Sequence, residues 1–466
     1  MNPKTSVLAL ATALAAAFAI SARAHDDHEA GAWKPVPYAD KFAHAPRPLP
    51  DRIVLTWRND PSTTQAVTWR TDTSVIRSLA EIAVANESGR ELKSRPVPAF
   101  TAPFESDLGT AHFHTAEFTE LEPDTLYAYR VGDGANWSEW FHFRTASREA
   151  HPFTFIYFGD AQNDIKTHWS RVFREAFRES PRAAFTLHAG DLVSEGNSDV
   201  QWGEWFGAPA WVNATIPVVP TPGNHEYRRA VENDPKSPRV LTRHWRPQFA
   251  LPENGPEGVT EVAETAYFFD YQGARIISLN SNVKQEEQRD WLRRVLARDP
   301  QRWTIVTFHH PVFSPARERD NQALREAWKP VFDEFKVDLV LTGHDHTYAR
   351  SGDIGGRLKV GTLNVKEGYQ QAYDPAVGTV YVVSVSGPKM YDINGADWAV
   401  RAAEDTQLFQ IITVDGDELR FEARTAVNRL YDAFTLKKRA GGANQLVELL
   451  PSERRRPPAP ASPDSD

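Results

Sequence analysis

Six side chains that can bind metal ions each follow a short apolar run of the sequence. These runs end in the motifs GDAQ, GDLVS, GNHE, FHHP and GHDH. The residues concerned are Asp160, Asp191, Asn224, His309, His344 and His346. Carboxylates and neutral imidazoles, in a chain that has no cysteine, are donors that suit Mn, Zn and Fe. The motifs therefore predict a metal site built from oxygen and nitrogen ligands.

The apolar runs are expected to be strands of an α/β layer. Between residues 151 and 350 they alternate with amphipathic segments, which predict helices near 166–179 and 321–335. The carboxyl ends of neighbouring parallel strands meet at one sheet edge, so the six side chains are expected to converge. A lone aspartate or histidine at such a place is usually a turn or core residue. Six of them together favour a functional site.

A pair of metal ions that share one carboxylate can hold the attacking and leaving oxygens of a phosphate ester. Asp191 is predicted to be that shared carboxylate. Glycines precede Asp160, Asp191, Asn224 and His344, and each permits a tight turn that aims the next side chain into the crevice.

The composition indicates a folded protein of more than one domain. The chain has 466 residues, of which 41% are hydrophobic and 25% are charged. Acidic residues number 62 and basic residues 53, and no basic block dominates, which disfavours a nucleic-acid-binding protein. The absence of cysteine excludes disulfides, thiolate metal ligands and a cysteine nucleophile.

Changes of pattern divide the chain into five segments. They are a signal peptide at 1–24, a linker at 25–50, a small all-β sandwich at 51–147, an α/β catalytic domain at 151–437 and a flexible tail at 438–466. The first segment has a lysine near its start, an apolar run and a small-residue cleavage sequence, as export signals do. Within the sandwich, Tyr127 follows a proline-containing turn, which is the pattern of a tyrosine corner in immunoglobulin-like domains.

The motif set resembles the calcineurin-like metallophosphoesterase superfamily, and most closely its purple acid phosphatase-like branch, over about residues 46–430. The runs RIVLTWRND, LYAYRVGD and WFHFRT resemble the N-terminal domain of that branch. The resemblance implies a fibronectin type III-like all-β sandwich followed by a four-layer αββα metallophosphoesterase domain. It also implies which residues hold the metals: Asp160 and His346 for one, Asn224, His309 and His344 for the other, and Asp191 as the bridge. By the same resemblance His225 contacts the substrate phosphate.

Two positions depart from the pattern of that branch. Its metal-binding tyrosine, which produces the purple colour with ferric iron, is replaced here by Ser194. Gln162 stands where other branches of the superfamily have a metal-binding histidine, so it is either a ligand, a neighbour of the ligands or a strand-capping residue. The metal pair expected is therefore two divalent or mixed-valence ions drawn from Fe, Zn and Mn.

The leading hypothesis is an exported, binuclear metal-dependent phosphatase of the acid phosphatase type, which hydrolyses phosphate monoesters by attack of a metal-bound hydroxide. His225 is the predicted catalytic residue, because an imidazole can protonate the leaving oxygen, and His225 and Asn224 are the predicted substrate contacts. Glu226 is interpreted either as a residue that orients His225 or as a surface carboxylate. Four neighbouring side chains are expected mainly to pack: His188, His310, Tyr348 and Arg350.

Two other functions remain open. The same metals could serve a phosphodiesterase or a nucleotide pyrophosphatase, with a different pocket wall at residues 228–264. Alternatively, the protein binds a partner through its sandwich and its metal site is vestigial. The expected partner is a small phosphate ester, with no nucleic acid and no stable membrane association, and the sequence favours no particular oligomeric state. The expected location is the periplasm or the extracellular medium.

Overall fold

The computed structural model describes residues 38–88, 92–231, 234–353 and 368–450. The predicted signal peptide, the linker up to residue 37 and the last sixteen residues of the predicted tail lie outside these ranges. Before residue 44 the description is limited to one helical turn, α1 (Asp40–Ala43), and the chain from His44 onward forms one compact unit. In the described ranges, no helix has the length and apolarity needed to cross a bilayer.

The N-terminal part of this unit is a sandwich of two four-stranded antiparallel sheets. Its strands are β1 (Asp51–Thr56), β2 (Gln65–Thr71), β3 (Leu79–Val84), β4 (Arg95–Pro98), β5 (Phe100–Ser106), β6 (Gly109–Phe118), β7 (Leu126–Gly132) and β8 (Phe141–Arg144). One sheet has the order β1-β2-β6-β5 and the other β4-β3-β7-β8. Alternate residues of both sheets, among them Trp69, Tyr129 and Phe143, fill the core between them.

The predicted tyrosine corner is present in the sandwich. The Tyr127 hydroxyl accepts a hydrogen bond of 2.8 Å from the backbone amide of Glu122, five residues upstream. Its ring packs on Phe143 of the neighbouring strand. This contact fixes the turn that leads into β7, as it does in immunoglobulin-like domains.

The larger, α/β part begins at Phe153. Its strands are β9 (Phe153–Phe158), β10 (Thr186–Ala189), β11 (Val218–Thr221), β12 (Tyr227–Arg229), β13 (Arg239–Leu241), β14 (Tyr267–Tyr271), β15 (Ala274–Ser278), β16 (Trp303–Thr307), β17 (Leu339–Thr342), β18 (Tyr348–Ser351), β19 (Val380–Val383), β20 (Ala399–Ala403), β21 (Leu408–Asp415), β22 (Glu418–Thr425), β23 (Leu430–Lys437) and β24 (Gln445–Glu448). Its helices are α2 (Ser170–Glu179), α3 (Asp199–Gly207), α4 (Trp245–Gln248), α5 (Gln285–Ala297) and α6 (Gln322–Phe335). A π-helical turn, Ile165–Trp169, leads into α2.

Two seven-stranded sheets form the centre of this part. The first has the order β11-β10-β9-β21-β22-β23-β24 and the second β14-β15-β16-β17-β19-β18-β20. Apolar residues of both sheets, such as Ile156 and Ile305, share one core. Val172 and Phe173 of α2 join that core, while Leu292 of α5 and Trp328 of α6 pack on the second sheet. The layers therefore follow the predicted αββα order.

The predicted flexible tail at 438–466 is wrong for its first part. Strand β24 lies inside it and pairs antiparallel with β23 at the edge of the first sheet. Glu448 at its end forms a 2.7 Å ion pair with the buried Arg350. Charged and proline-rich composition concealed this strand, because its backbone hydrogen bonds and its ion pair both depend on the completed sheet.

A buried cluster of charges joins the sandwich to the α/β part. Asp199, the first residue of α3, accepts hydrogen bonds from Arg52 of β1 at 2.7 and 3.0 Å and from Arg70 of β2 at 2.9 Å. The three side chains are only 3–4% exposed. Asp51 pairs with the other side of Arg70 at 2.7 Å. One carboxylate thus holds two arginines of the sandwich against the α/β part.

Candidate metal centre

All six predicted ligands lie at strand ends, and the structure brings them together. Asp160, Asp191 and Asn224 follow the parallel strands β9, β10 and β11 of the first sheet, and His309, His344 and His346 follow β16 and β17 of the second. The two sheets face each other, so the crevice at their carboxyl ends receives ligands from both. This is the convergence that the strand pattern predicts.

The ligand atoms form two groups that share one aspartate. Asp160, Asp191 and His346 make one group, and Asp191, His309 and His344 make the other; within each group the donor atoms lie within 4.8 Å of one another. Asn224 adds to the second group, since its Oδ1 lies 3.1 Å from Nε2 of His309. Asp191 is therefore common to both groups, while its predicted role as a bridge between two metals stays a prediction.

Backbone carbonyls fix the orientation of two ligand imidazoles. His309 donates from Nδ1 to the carbonyl oxygen of Ala189 at 2.9 Å, and His346 donates from Nδ1 to that of Lys389 at 2.8 Å. A carbonyl only accepts, so each Nδ1 carries the proton. Each Nε2 then faces a carboxylate, at 3.1 Å from Asp191 for His309 and 3.0 Å from Asp160 for His346, so a metal ion between them would take the lone pair of the neutral imidazole.

The backbone at the ligands is held in the left-handed region. Asp191, His344 and His346 have φ values of 50°, 73° and 43°, a conformation that side chains other than glycine rarely adopt. Glycine is needed beside them for close packing: a Cβ on Gly223 would lie 2.1 Å from Asp191 Oδ1, and one on Gly343 would lie 2.2 Å from Asp160 Oδ1. The backbone strain and the close contacts indicate that this geometry belongs to a functional site.

The electrostatics of the site call for positive charge between the carboxylates. Burial acts to raise the pKa of Asp191, but the charges and hydrogen bonds of His309 and His225 together outweigh it and this pKa falls to about 2. Burial likewise acts to lower the pKa of His309, whereas Asp191 and Asp160 raise it to about 9. Oδ2 of Asp160 and Oε1 of Gln162 are buried without a hydrogen-bond partner. Such donors fit divalent cations.

Gln162 lies among the ligands and does not cap a strand. Its side-chain nitrogen is 3.0 Å from Asp191 Oδ2 and 3.0 Å from His346 Nε2, and the residue is 1% exposed. The two ends of a glutamine amide exchange places by a half-turn of the last torsion angle. That half-turn presents the unpartnered oxygen to the first ligand group, so Gln162 has a donor available for a metal.

We expect Gln162→Leu to weaken metal binding at the first group by about 10- to 100-fold, the usual effect of removing a group that supports metal ligands. Gln162→His is expected to restore or increase the affinity, because imidazole is a stronger donor than an amide. Metal per protein after dialysis against a chelator series measures both. Gln65→Leu, which removes a buried glutamine of the sandwich, is the control. Unchanged metal retention in Gln162→Leu would contradict this role.

Glu226 has a role that neither sequence interpretation foresaw. Its fully buried carboxylate accepts hydrogen bonds from the backbone amides of Gly223 at 2.7 Å, Asp191 at 2.9 Å and Leu192 at 2.9 Å. Burial, and then the Asp191 carboxylate, raise the pKa of Glu226 to about 8. Glu226 thus ties the loop after β10 to the loop after β11. Its place inside the ligand motif GNHE was the available signal.

His225 stands at the open side of the centre. Its Nδ1 donates to the carbonyl of Ser194 at 2.6 Å, and its Nε2 lies 3.9 Å from Asp191 Oδ2. The side chain is 31% exposed, so Nε2 can reach a molecule in the crevice. The Ser194 hydroxyl accepts a 3.2 Å hydrogen bond from the amide of Asn163.

The neighbouring candidates pack as expected. His188 is buried among Phe158, Trp169 and Trp205, and burial lowers its pKa to about 3. His310 accepts or donates at Ser281 Oγ over 2.9 Å and lies against the ring of His344. Tyr348 donates to Asp432 at 2.6 Å, and the same carboxylate binds Arg350. These side chains support the sheet edges that hold the ligands.

Comparison with known proteins gives one family match for the α/β part of the chain and another for the sandwich. Residues 153–348 match the calcineurin-like phosphoesterase family, and residues 50–145 match the purple acid phosphatase N-terminal domain. The structure of the purple acid phosphatase PPD1 from yellow lupin (Lupinus luteus) superimposes with a TM-score of 0.68 at 19% identity, covering 84% of this chain and 75% of that one.

Curated relatives point the same way. Phosphoenolpyruvate phosphatase of Allium cepa is 29% identical over 296 residues, which cover 60% of this chain and 58% of that protein. Purple acid phosphatase 15 of Arabidopsis thaliana is 24% identical over 309 residues, covering 59% and 53%. The chain thus spans little more than half the length of these relatives. The predicted fold class and the predicted family are confirmed. Residues 153–348 are therefore a calcineurin-like phosphoesterase domain, and a purple acid phosphatase N-terminal domain precedes it at residues 50–145.

Proposed function

We propose that the protein is an exported binuclear metallophosphatase that hydrolyses phosphate monoesters. The observation that carries this proposal is the sharing of Asp191 by two ligand groups whose donor atoms lie within 4.8 Å. Two bound cations supply Lewis acidity and a nucleophile at near-neutral pH. Fe, Zn and Mn suit the donors, and Ser194 in place of a tyrosinate favours divalent ions.

The residues of the chain then have distinct tasks. Asn224 and His225 face the opening of the crevice and contact the phosphoryl oxygens. Because Nδ1 of His225 is held by the Ser194 carbonyl, Nε2 is the atom directed at the substrate, where it can give a proton to the leaving oxygen. The relatives that are named phosphatases, including one named for the monoester phosphoenolpyruvate, support the monoester class.

The location and partners belong to the same proposal. The N-terminal sequence with its apolar run and cleavage site supports export to the periplasm or the medium. The excess of acidic residues disfavours a nucleic acid or an anionic membrane as the partner. The metal-ligand groups in the crevice support a small phosphate ester instead.

A panel of aryl phosphate monoesters and the matching diesters tests the proposal. We expect kcat/KM to be at least about tenfold higher on the monoester, because a monoester leaves three phosphoryl oxygens for the centre to bind. The same protein after chelator treatment is the control, and metal analysis accompanies the assay. A preference for the diester would favour a phosphodiesterase, and a metal-loaded protein inactive on every ester would favour a binding protein.

A further inference from the structure

Tyr391 packs directly against His346, one of the predicted metal ligands. Its ring stacks on the imidazole at a centroid distance of 4.6 Å and an interplanar angle of 23°. Its backbone amide donates to the carbonyl of His346 at 3.1 Å, and His346 in turn donates to the carbonyl of Lys389. The loop that carries Lys389 and Tyr391 is therefore fixed relative to the first ligand group.

A second loop, residues 315–319, is joined to the first. The amide of Asn394 donates to the carbonyl of Pro315 at 2.9 Å, and Ala316 and Ile393 form an antiparallel bridge. The amide of Glu318 donates to Asn394 Oδ1 at 2.8 Å. The two loops form one rim beside the centre, although more than 70 residues of sequence separate them.

This rim carries three cations around one aromatic ring. Arg317, Arg319 and Lys389 lie 4.6, 5.4 and 5.7 Å from the centroid of the Tyr391 ring. Arg319 is held in place by the carbonyl of His344 at 3.1 Å and by Asp345 at 2.9 Å. We call these three basic side chains the cationic cluster.

Two members of the cationic cluster carry charges that no carboxylate of the described residues neutralises. Within the described ranges, neither Arg317 nor Lys389 forms an ion pair with a carboxylate, although Glu318 and Asp392 are close in sequence. Three like charges held together repel one another, and the electrostatic free energy of this repulsion falls when an anion binds between them. Arg and Lys donate charge-assisted hydrogen bonds to carboxylates and phosphates. The chain as a whole is acidic, so the cluster is a local exception.

We propose that the cationic cluster binds a second anionic group of the substrate. The preferred substrate is then a phosphate monoester whose leaving group carries a carboxylate or a further phosphate. The reacting phosphoryl group lies at the metal ligands, and the second anion lies one aromatic ring away, beside Tyr391. This inference rests on the proposed phosphatase function and narrows its substrate class.

Binding of non-hydrolysable ligands tests this independently of turnover. Isothermal titration of the purified, metal-containing protein compares meta- and para-phosphonobenzoate with the corresponding phosphonobenzamides, which differ only in the charge of the second group. We expect at least one benzoate to bind about tenfold or more tightly than its amide, the effect of one or two hydrogen bonds to charged groups. In the double variant Arg317→Gln/Lys389→Gln, the ratio of the dissociation constants of the benzamide and the benzoate should fall close to one.

The control variant is Arg174→Gln/Arg182→Gln, which removes two exposed positive charges outside the site and should keep the preference. Equal binding of both benzoates and their amides by the unmodified protein, or a preference that the double variant retains, would overturn the proposal. A preserved preference for the benzoate without hydrolysis of any phosphate ester would overturn the proposed phosphatase function and leave the anion site standing.

Discussion

Asp191→Asn is expected to lower kcat on phosphate monoesters by at least about a thousandfold and to reduce the metal content. The substitution keeps the size of the side chain but removes the charge that both ligand groups share. Several kcal/mol of transition-state stabilisation depend on bound cations, and each 1.4 kcal/mol is a factor of ten in rate. His309→Ala is expected to act similarly, because it removes a ligand of the second group.

Metal analysis and steady-state kinetics on the same preparations measure this effect. Asp164→Asn is the matched control, since Asp164 is exposed, lies four residues after Asp160 and already has a left-handed backbone that Asn accepts. The control should retain metal and activity. Full metal content together with full activity in both Asp191→Asn and His309→Ala would contradict the assignment of the site.

Asp199→Asn is expected to destabilise the folded chain by about 3–5 kcal/mol, although Asp199 lies outside the ligand set. The substitution leaves Arg52 and Arg70 buried without the carboxylate that they share. Burial acts to raise the pKa of Asp199, but the His244 imidazole 3.4 Å away and the charges of both arginines hold this pKa well below its usual range. The contribution of Asp199 is therefore complete above about pH 4 and is lost as the pH falls toward the folded-state pKa.

Chemical unfolding at neutral pH measures the free-energy change, and repetition at decreasing pH tests its origin. The difference between the unmodified protein and Asp199→Asn should shrink as the solution becomes acidic. Asp299→Asn is the control, because Asp299 makes an ion pair with Arg298 at the surface, where both side chains are mostly exposed. If Asp199→Asn unfolds at the same denaturant concentration as the control, the buried cluster does not stabilise the joint between the two halves.

The ligands could be predicted from the sequence because of a general property of parallel sheets. A polar residue directly after a buried strand is placed at a known edge, so Asp160 and Asp191, which follow the neighbouring parallel strands β9 and β10, could be placed together in space without any knowledge of their distance. The role of Glu226 could not be predicted in this way. It depends on four backbone amides in two loops, and loop geometry is not encoded in a periodic pattern.

The cationic cluster escaped prediction for a related reason. Arg317 and Lys389 lie in separate loops, which are joined by the isolated bridge between Ala316 and Ile393 and by the hydrogen bonds of Asn394. Neither loop has the alternation or the helical period from which elements are predicted. The ordered strand β24 was missed because its partner β23 and its ion pair with Arg350 lie at long range. The local sequence pattern thus predicted the strands and the residues at their ends, but not the contacts between loops.

The Glu226 carboxylate has a consequence for the dimensions of the centre. The carboxylate accepts hydrogen bonds from backbone amides in the two loops that carry Asp191 and Asn224. Because Glu226 is fully buried, water cannot replace these hydrogen bonds if they break. Asp191 and Asn224 therefore cannot move apart without that loss. In the binuclear centre proposed above, the separation between the two ions would therefore be a property of the scaffold, and ions of different radius would have to adapt to it. Selection among Mn, Zn and Fe would then depend on how well each ion tolerates a fixed spacing, in addition to its preference for the donor atoms.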